Sequence, residues 1–316
     1  GDVYKRQEIV WRQMDTFEII AEESDVDKRI DLFLAKNLES FSRSYIQDLI
    51  KKGKVTINNK IIKANYRLKE GECVVLDIPK PEPLEIVPEN IPIDILYEDE
   101  DVILVNKPKG MVVHPAAGHY KGTLVNALLY HCKSNLSGIN GVLRPGIVHR
   151  IDMDTTGVII ICKNDIAHQH IAKQLANHSI TRKYVAIVTG NIKEDEGVID
   201  AAIARSKSDR KKMAVDKDGK RAVTHYKVLE RLNGYTYIEC VLETGRTHQI
   251  RVHMAYIHHP LLGDEVYAGK SGMKLQGQCL HAMVLGFIHP KTNEYMEFEA
   301  PIPEYFNEIL NKFRKV

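Results

Sequence analysis

Residues 148–157, VHRIDMDTTG, place four charged or titratable side chains directly before the apolar stretch VIIIC. These side chains are His149, Arg150, Asp152 and Asp154. Residue types of this kind at this spacing can form a metal site, clamp a phosphate, supply a single catalytic carboxylate or lie in a solvated turn. The rest of the sequence has to distinguish between these possibilities.

A metal site is the first possibility, with His149, Asp152 and Asp154 as ligands. It requires further ligands at metal-binding spacing, and the sequence contains no His-Glu-x-x-His motif and no Cys-x-x-Cys pair. On a strand, moreover, the two aspartates would share one face and the histidine would point to the other. We therefore predict no metal at this stretch.

A solvated turn is the second possibility. Asp154, the two threonines that follow it and Gly157 have the composition of a turn, which fully explains Asp154. It does not explain Arg150 and Asp152, which precede the turn and are expected to share one face of a strand.

A lone nucleophilic carboxylate is the third possibility, and Asp152 is the candidate. Such a group can attack a sugar or an activated ring covalently, and in a dry pocket it needs a cation nearby to remain ionised. The segment TGRTHQIRVHMAY supplies Arg246, close to solvent at the start of a helix, and Arg251, which lies between Ile250 and Val252. Because a buried arginine without an anion is destabilising, we predict that Arg251 pairs with Asp152. The alternative is a purely structural pair between Arg251 and another acid.

The elements that position these residues belong to a chain of 316 residues with a net charge of +2, a length that suggests about two domains. Its five cysteines are scattered, which favours a reduced, cytoplasmic protein over a disulfide scaffold or a zinc site. No apolar run approaches the ~18 residues that span a bilayer, so no membrane contact is expected. Residues 1–14 match no usable pattern, and we expect a non-native or disordered leader there.

Residues 15–80 are predicted to form a small basic domain. Lys28 to Lys69 contains eleven lysines and arginines against three acids, a charge pattern typical of nucleic-acid binding, although a solvated lysine-rich helix would also produce it. The segments DKRIDLFLAKNL and SRSYIQDLIKKG predict two helices, KVTINNKII a hairpin that turns at Asn58–Asn59, and ECVVLDI a further strand. This arrangement resembles the RNA-binding domain first seen in ribosomal protein S-four. It implies RNA contacts by Arg43, Lys51, Lys52 and Lys54.

Residues 81–94 are predicted to be a proline-rich linker, and residues 95–316 a second domain. In that domain DVILVNKP, GVIIICK, RKYVAIVTG, AVTHYKVLE and YTYIECVLE are typical of strands, and NDIAHQHIAKQLANHS, HQIRVHMAYI and PEYFNEILNKF of helices. Strands that follow one another without helical crossovers favour an α+β fold built on a mixed, largely antiparallel sheet with flanking helices.

Three long segments then resemble the signature segments of the RluA/RluD-type pseudouridine synthases. They are RPGIVHRIDMDTTGVIIICKND, TRKYVAIVTG and LETGRTHQIRVHMAYIHHPLLGDEVY. NKPKGMVVHPAAGH and CLHAMVLGFIHP fit the same family, the resemblance spans about residues 17–311, and it is closest to the RluD type. One departure is Met153, which stands where a lysine is usual.

The resemblance implies that the protein isomerises uridine to pseudouridine within RNA and requires neither cofactor nor metal. The family's catalytic aspartate corresponds to Asp152, its active-site tyrosine to Tyr184 and its buried arginine to Arg251. Arg150 is expected to fill the space that the flipped base leaves. Further RNA contacts are expected from His149, Arg246 and His248.

The expected partner is RNA, in particular large-subunit ribosomal RNA or its precursor particle, and the expected protein is a monomer. Between Arg205 and Arg221 eight lysines and arginines against three aspartates predict a mobile hairpin that touches phosphates, unless it is only a solvated loop. Two other functions stay open from the residues alone. One is a catalytically inert RNA-binding or ribosome-assembly factor, and the other is a metal-dependent nuclease.

Overall fold

Two units, residues 1–84 and 85–316, make up the chain in the computed structural model. The structure describes residues 16–38, 41–78, 86–115, 119–133, 135–140, 144–209, 212–269 and 275–314. The division falls inside the predicted linker. The predicted leader at residues 1–14 lies outside the described residues, as do Pro81 and Pro83 of the linker.

The N-terminal unit packs two helices on a small antiparallel sheet with the strand order β1-β4-β2-β3. Its elements are β1 (Thr16–Ile20), a 3₁₀ turn (Glu23–Asp25), α1 (Ile30–Asn37), α2 (Arg43–Lys51), β2 (Val55–Ile57), β3 (Lys60–Ile61) and β4 (Cys73–Asp77).

Local sequence explains the ends of these elements. Ser42 caps α2, because its side chain accepts a hydrogen bond from Tyr45 N. After α2 the chain leaves the helix at Gly53, which has a φ of 69°. Asn58 and Asn59 both have positive φ, as a two-residue hairpin turn between right-twisted strands requires. The predicted helices and hairpin are therefore present.

A nine-stranded sheet forms the centre of the second unit. The strands are β5 (Asp94–Glu98), β6 (Val102–Lys107), β7 (Thr156–Cys162), β8 (Thr181–Thr189), β9 (Glu196–Asp200), β12 (Val223–Leu232), β13 (Tyr235–Leu242), β14 (Leu280–Ile288) and β15 (Tyr295–Glu299), and β10 (Ile203–Arg205) and β11 (Met213–Val215) form a separate hairpin. The order is β5-β6-β7-β14-β8-β13-β12-β9, with β15 also on β14. Among the described strands of this sheet, β7 and β14 form the one parallel pair, so the predicted mixed, largely antiparallel α+β fold is confirmed.

Helices cover the sheet on both faces. They are α3 (Leu124–His131), α4 (Asp165–Ala176), α5 (Gln249–Tyr256) and α6 (Glu304–Arg314). In β8, Tyr184 and Ala186 pack into the core that includes α4 and α5, whereas Val185 and Ile187 pack against α6. Alternate residues of β8 therefore face two different helical layers, which explains why this strand is apolar almost throughout.

Residues 86–89 of the predicted linker pack within the second unit. Ile86 is buried in its core. The side chain of Asn126 in α3 donates from Nδ2 to Val87 O at 2.9 Å. The backbone carbonyl of Asn126 accepts from Glu89 N at 3.0 Å. Residues 86–89 are thus anchored to α3.

All five cysteines are free, and four of them are buried. In the part of the chain that the structure describes, no helix is both long and apolar enough to cross a bilayer.

Candidate active site

A cleft of about 510 Å³ opens in the second unit. It lies between the loop that precedes β7, strand β8 and the start of α5. Its charged lining is dominated by one sign, because four arginines and one aspartate line it among the described residues: Arg150, Arg182, Arg246, Arg251 and Asp152. A concave site with this excess of cations suits a polyanion such as RNA.

The loop that carries Asp152 is fixed by hydrogen bonds to its backbone carbonyls. Thr155 N donates to Asp152 O at 3.1 Å and closes a turn, while Met153 O accepts from Gly110 N at 3.0 Å. Met153 O also accepts from the fully buried Lys107 Nζ at 2.9 Å. Arg150 and Asp152 therefore lie in a loop and not on a strand. The predicted strand face was wrong, because the ladder of β7 begins only at Thr156.

Lys107 ties this loop to the end of β6. Its Nζ donates to three backbone carbonyls, those of Pro108, Met111 and Met153, at 2.8–2.9 Å. Burial lowers the pKa of Lys107 to about 7. The three acceptors match the three N–H groups of an ammonium and so favour the charged form. Sequence reasoning missed this residue, since a lysine beside a proline gives no sign of burial.

His149 anchors the same loop to β7. Its Nε2 accepts a hydrogen bond from Ile160 N at 3.1 Å. Burial, together with the charge of Arg182, lowers the pKa of His149 to about 3, so the imidazole is neutral. This bond engages one ring nitrogen inside the protein, and an RNA contact by His149 stays a prediction.

Arg251 bridges two carboxylates. Its Nη1 donates to Asp152 Oδ2 at 2.9 Å, which confirms the pairing predicted from the sequence. Its Nε and Nη2 donate to Asp264 Oδ2 and Oδ1 at 2.7 and 2.9 Å, a bidentate pair. Burial alone would lower the pKa of Arg251, but Asp264 and then Asp152 outweigh burial and raise it.

Asp264 was missed from the sequence, although it is the more buried of the two partners. Its side chain is fully buried, whereas the side chain of Asp152 is 19% exposed. Oδ1 of Asp264 also accepts from the backbone N–H groups of Val266 and Tyr267. The structural acid that the sequence left open therefore exists beside Asp152, and it fixes the orientation of the guanidinium.

Asp152 keeps one oxygen available to the cleft. Within the described ranges no donor hydrogen-bonds its Oδ1, and His248 Nε2 lies 3.8 Å away. The other nitrogen of His248 lies 2.8 Å from the hydroxyl of Tyr267, which also accepts from Met213 N. Burial is the main cause that lowers the pKa of His248, which leaves a neutral ring beside the carboxylate. The predicted site residue His248 is thus brought to Asp152.

Tyr184 lies on β8 and lines the same cleft, although it is only 8% exposed. Its backbone is fixed between Cys240 of β13 and Ala282 of β14. Burial raises the pKa of its hydroxyl, with a smaller contribution from Asp152. A protonated phenol is therefore presented to whatever occupies the cleft.

Arg150 and Arg246 lie at the cleft with different degrees of freedom. Arg150 is exposed. Arg246 donates from Nε to Arg221 O at 2.9 Å, and its backbone N–H donates to Gln249 Oε1 at 2.9 Å. Arg150 is thus accessible from solvent, whereas Arg246 is tied to the start of α5.

Asp154 forms part of the turn, as predicted, but it is not simply solvated. Its side chain packs on Gly277, where a Cβ would collide with it. Burial raises the pKa of Asp154 against the charges of Lys109 and Lys107. The interpretation of Asp154 as a solvated turn residue is corrected to a half-buried one.

The predicted RNA-binding residues of the N-terminal unit divide into two groups. Arg43 donates twice to the buried Asp31, at 3.1 and 3.0 Å, and shares it with Arg29 and Gln47. Burial opposes the shift, but these hydrogen bonds together lower the pKa of Asp31 to about 2. Arg43 therefore holds α1 to α2 with part of its side chain.

The predicted lysines of this unit have fewer acidic contacts than Arg43. Lys52 pairs with Asp48 at 2.8 Å and Lys54 with Asp77 at 3.8 Å. No ion pair in the described part of the unit involves Lys51, which is exposed. Solvent screens exposed pairs of this kind, so they contribute little to stability, and these ammonium groups can exchange partners for phosphates.

One group of metal-ligating side chains is found among the described residues, and it lies apart from Asp152 in the sequence. It consists of Asp99, Asp101 and His289. His289 Nε2 lies 2.8 Å from Asp99 Oδ2, and Nδ1 accepts from the backbone of Lys291 and Thr292. These bonds explain the group as a connection between the β5–β6 and β14–β15 turns.

Family comparisons agree with this division of the chain. A profile described as RNA pseudouridylate synthase matches residues 101–256, and a profile described as S4 domain matches residues 28–74. The first range contains Asp152, Tyr184 and Arg251. The second falls within the N-terminal unit.

Relatives cover nearly the whole chain. An uncharacterized RNA pseudouridine synthase of Bacillus subtilis is 53% identical over 302 residues, which are 96% of this chain and 99% of that protein. Ribosomal large subunit pseudouridine synthase D of Zymomonas mobilis is 47% identical over 304 residues, 92% of this chain and 95% of that protein. The structure of human RNA pseudouridylate synthase domain containing 1 is 23% identical and covers 75% of this chain and 98% of its own, with a TM-score of 0.55. That last similarity shows a shared fold.

Proposed function

The chain belongs to the RNA pseudouridylate synthase family, and from that premise we propose that it acts on large-subunit ribosomal RNA with Asp152 as the nucleophile. The protein is an RNA pseudouridine synthase, an isomerase. The observation that carries the assignment of Asp152 is its geometry: one oxygen is bound by Arg251 and the other faces a cation-rich cleft.

The proposed reaction begins with extrusion of the target nucleotide, because a stacked uridine cannot present its glycosidic bond to a recessed carboxylate. Extrusion costs a few kcal/mol of stacking, and the exposed guanidinium of Arg150 can recover part of it by occupying the vacated space. The extruded base enters the cleft over Tyr184.

Asp152 then forms a covalent bond with the sugar or the ring of the nucleotide. The glycosidic C–N bond breaks, the uracil rotates, a C–C bond forms between the sugar and carbon-5, and the bond to Asp152 breaks to return the free carboxylate. Carbon-5 loses a proton and N1 gains one, so the atoms and electrons balance without an oxidant or a reductant. Arg251 contributes by holding the carboxylate, because Asp264 prevents the guanidinium from turning away.

Tyr184 supports these steps as a buried phenol. Its ring is positioned to stack on the uracil, and its hydroxyl, protonated because burial raises its pKa, can relay the proton that leaves carbon-5. The assignment rests on its place in the cleft with Asp152.

The substrate proposal rests on two supports. Relatives of 40–47% identity are described as ribosomal large subunit pseudouridine synthases, and the N-terminal unit carries exposed lysines on an S4 domain. The free cysteines fit the cytoplasm, which is the location that we propose.

Asp152→Asn and Asp154→Asn form a matched pair for the test, because each removes one carboxylate from the same loop. Cells without the gene would be complemented with either variant, and pseudouridine in ribosomal RNA mapped by carbodiimide labelling and primer extension. We expect no pseudouridine from Asp152→Asn, with RNA binding retained, and substantial modification from Asp154→Asn. Normal modification by Asp152→Asn would show that another residue is the nucleophile. Unaltered ribosomal RNA in the gene deletion would refute the substrate.

A further inference from the structure

Arg182 is a buried cation of the cleft that the mechanism above does not use. It is 7% exposed and lines the cleft. Its Nη2 donates to Glu243 O at a long 3.3 Å, and no group of the described residues forms a hydrogen bond with its buried Nε. No carboxylate of the described residues forms an ion pair with Arg182, and Tyr184, a phenol, is the neighbour that favours its charged form.

A guanidinium in this state is incompletely satisfied. Buried charges in proteins are normally paired and fully hydrogen-bonded, because desolvation is expensive otherwise. Arg251 lines the same cleft and illustrates the ordinary arrangement, because it pairs with two carboxylates. The environment of Arg182 therefore lacks an anion that a bound molecule can supply.

Two features aim Arg182 at the contents of the cleft. Arg182 and Tyr184 are two residues apart on β8, so they project from the same face of the strand. Gly245 provides the space for the guanidinium, since a Cβ at that position would lie 2.5 Å from Arg182 Nη1. The guanidinium is thus held at the lining of the cleft that Tyr184 also lines.

We propose that Arg182 binds a phosphate group of the nucleotide held in the cleft. This inference rests on the proposed function, because it takes an RNA nucleotide to be the occupant. A phosphate oxygen would accept from Nη1 and would bring the missing negative charge next to a buried cation. Arg182 then selects for a nucleotide within a phosphodiester chain over a free nucleoside.

The test compares uridine with its 5′- and 3′-monophosphates as probes, with binding to the full-length protein measured by calorimetry at constant ionic strength. We expect the wild type to bind at least one monophosphate about tenfold to a hundredfold more tightly than uridine, the effect of a charge-assisted hydrogen bond. Arg182→Gln should erase that preference, and Arg182→Lys should keep part of it.

Two further variants make the result specific. Lys183→Gln removes the same charge one residue away on the opposite face of β8, and it should leave the preference intact. Gly245→Ala keeps the charge but displaces the guanidinium, so the preference should fall even if Arg182→Gln fails to fold. Equal binding of uridine and both monophosphates by the wild type would overturn the inference. So would an unchanged preference in Arg182→Gln or in Gly245→Ala.

These measurements need no turnover, which separates the two proposals. A phosphate preference that depends on Arg182 stands even if Asp152→Asn is active, and loss of the preference leaves the assignment of Asp152 untouched. A merely structural role for Arg182 would instead lower thermal stability without changing the ratio of the affinities.

Discussion

Replacement of Arg251 by methionine tests how the carboxylate of Asp152, the proposed nucleophile, is held. The change removes a guanidinium that is 6% exposed and leaves Asp264, whose side chain is fully buried, without its bidentate partner. Breaking a buried pair by removal of one partner costs about 3–5 kcal/mol. We expect that loss in the free energy of unfolding of the catalytic unit, together with loss of turnover.

The second substitution decides which carboxylate is responsible. Asp264→Asn in the Arg251→Met background should recover about 2–3 kcal/mol of the sum of the single losses, because neither charge is then stranded. Asp152→Asn in the same background should recover about 1 kcal/mol or less, since Asp152 keeps access to water. From the sequence alone, with Asp152 as the sole partner, the larger recovery would be expected from Asp152→Asn.

Hydrogen-exchange mass spectrometry gives the required free energies, because the slowest amides of β7 and β8 report the global opening of this unit. Gln249→Ala serves as a control that alters the same helix without removing a charge. If Asp152→Asn couples to Arg251→Met as strongly as Asp264→Asn does, the reasoning on burial is refuted.

Three other perturbations have defined outcomes. Deletion of residues 1–80 should weaken RNA binding and flatten its salt dependence while the catalytic unit stays folded, and an unchanged salt slope in a filter-binding titration would contradict this. Because burial lowers the pKa of His149 from 6.5 to about 3, the unfolded chain takes up a proton that the native chain does not, and stability is lost as the pH falls through this window. The loss should reach about 2 kcal/mol at pH 5, and acid unfolding of His149→Gln should lack that part. Lys107→Met should destabilise the unit by about 1–3 kcal/mol and speed hydrogen exchange around Met153, and equal exchange would argue against the anchor.

Much of the site was accessible from the sequence because burial of charge has a recognisable pattern. Arg251 lies among apolar residues of a helix, so a partner anion had to exist, and Asp152 was found as one. Asp264 could not be found in the same way. It follows a proline and a glycine in an irregular segment, where no periodicity indicates which side chains are buried.

The order in which the strands pair was likewise not predictable from the sequence. Richness in Val, Ile, Thr and Tyr predicted β6, β7, β8, β12 and β13. It could not predict that β14 lies between β7 and β8, parallel to the first and antiparallel to the second, because long-range pairing leaves no local trace. The error at Arg150 and Asp152 arose similarly. The loop is held by hydrogen bonds from Lys107 and Gly110, which are distant in the sequence, so the local sequence does not distinguish it from a strand.

Met153, which follows Asp152 and is 40% exposed, suggests a practical use of this loop. The chain uses the carbonyl of this residue, which accepts from Lys107 and Gly110, and leaves its side chain 40% exposed. Because four of the native cysteines are buried and Cys73 is partly so, a cysteine at position 153 can be labelled selectively with a fluorophore or a crosslinker. Such a label sits one residue from Asp152 and would follow RNA docking in real time.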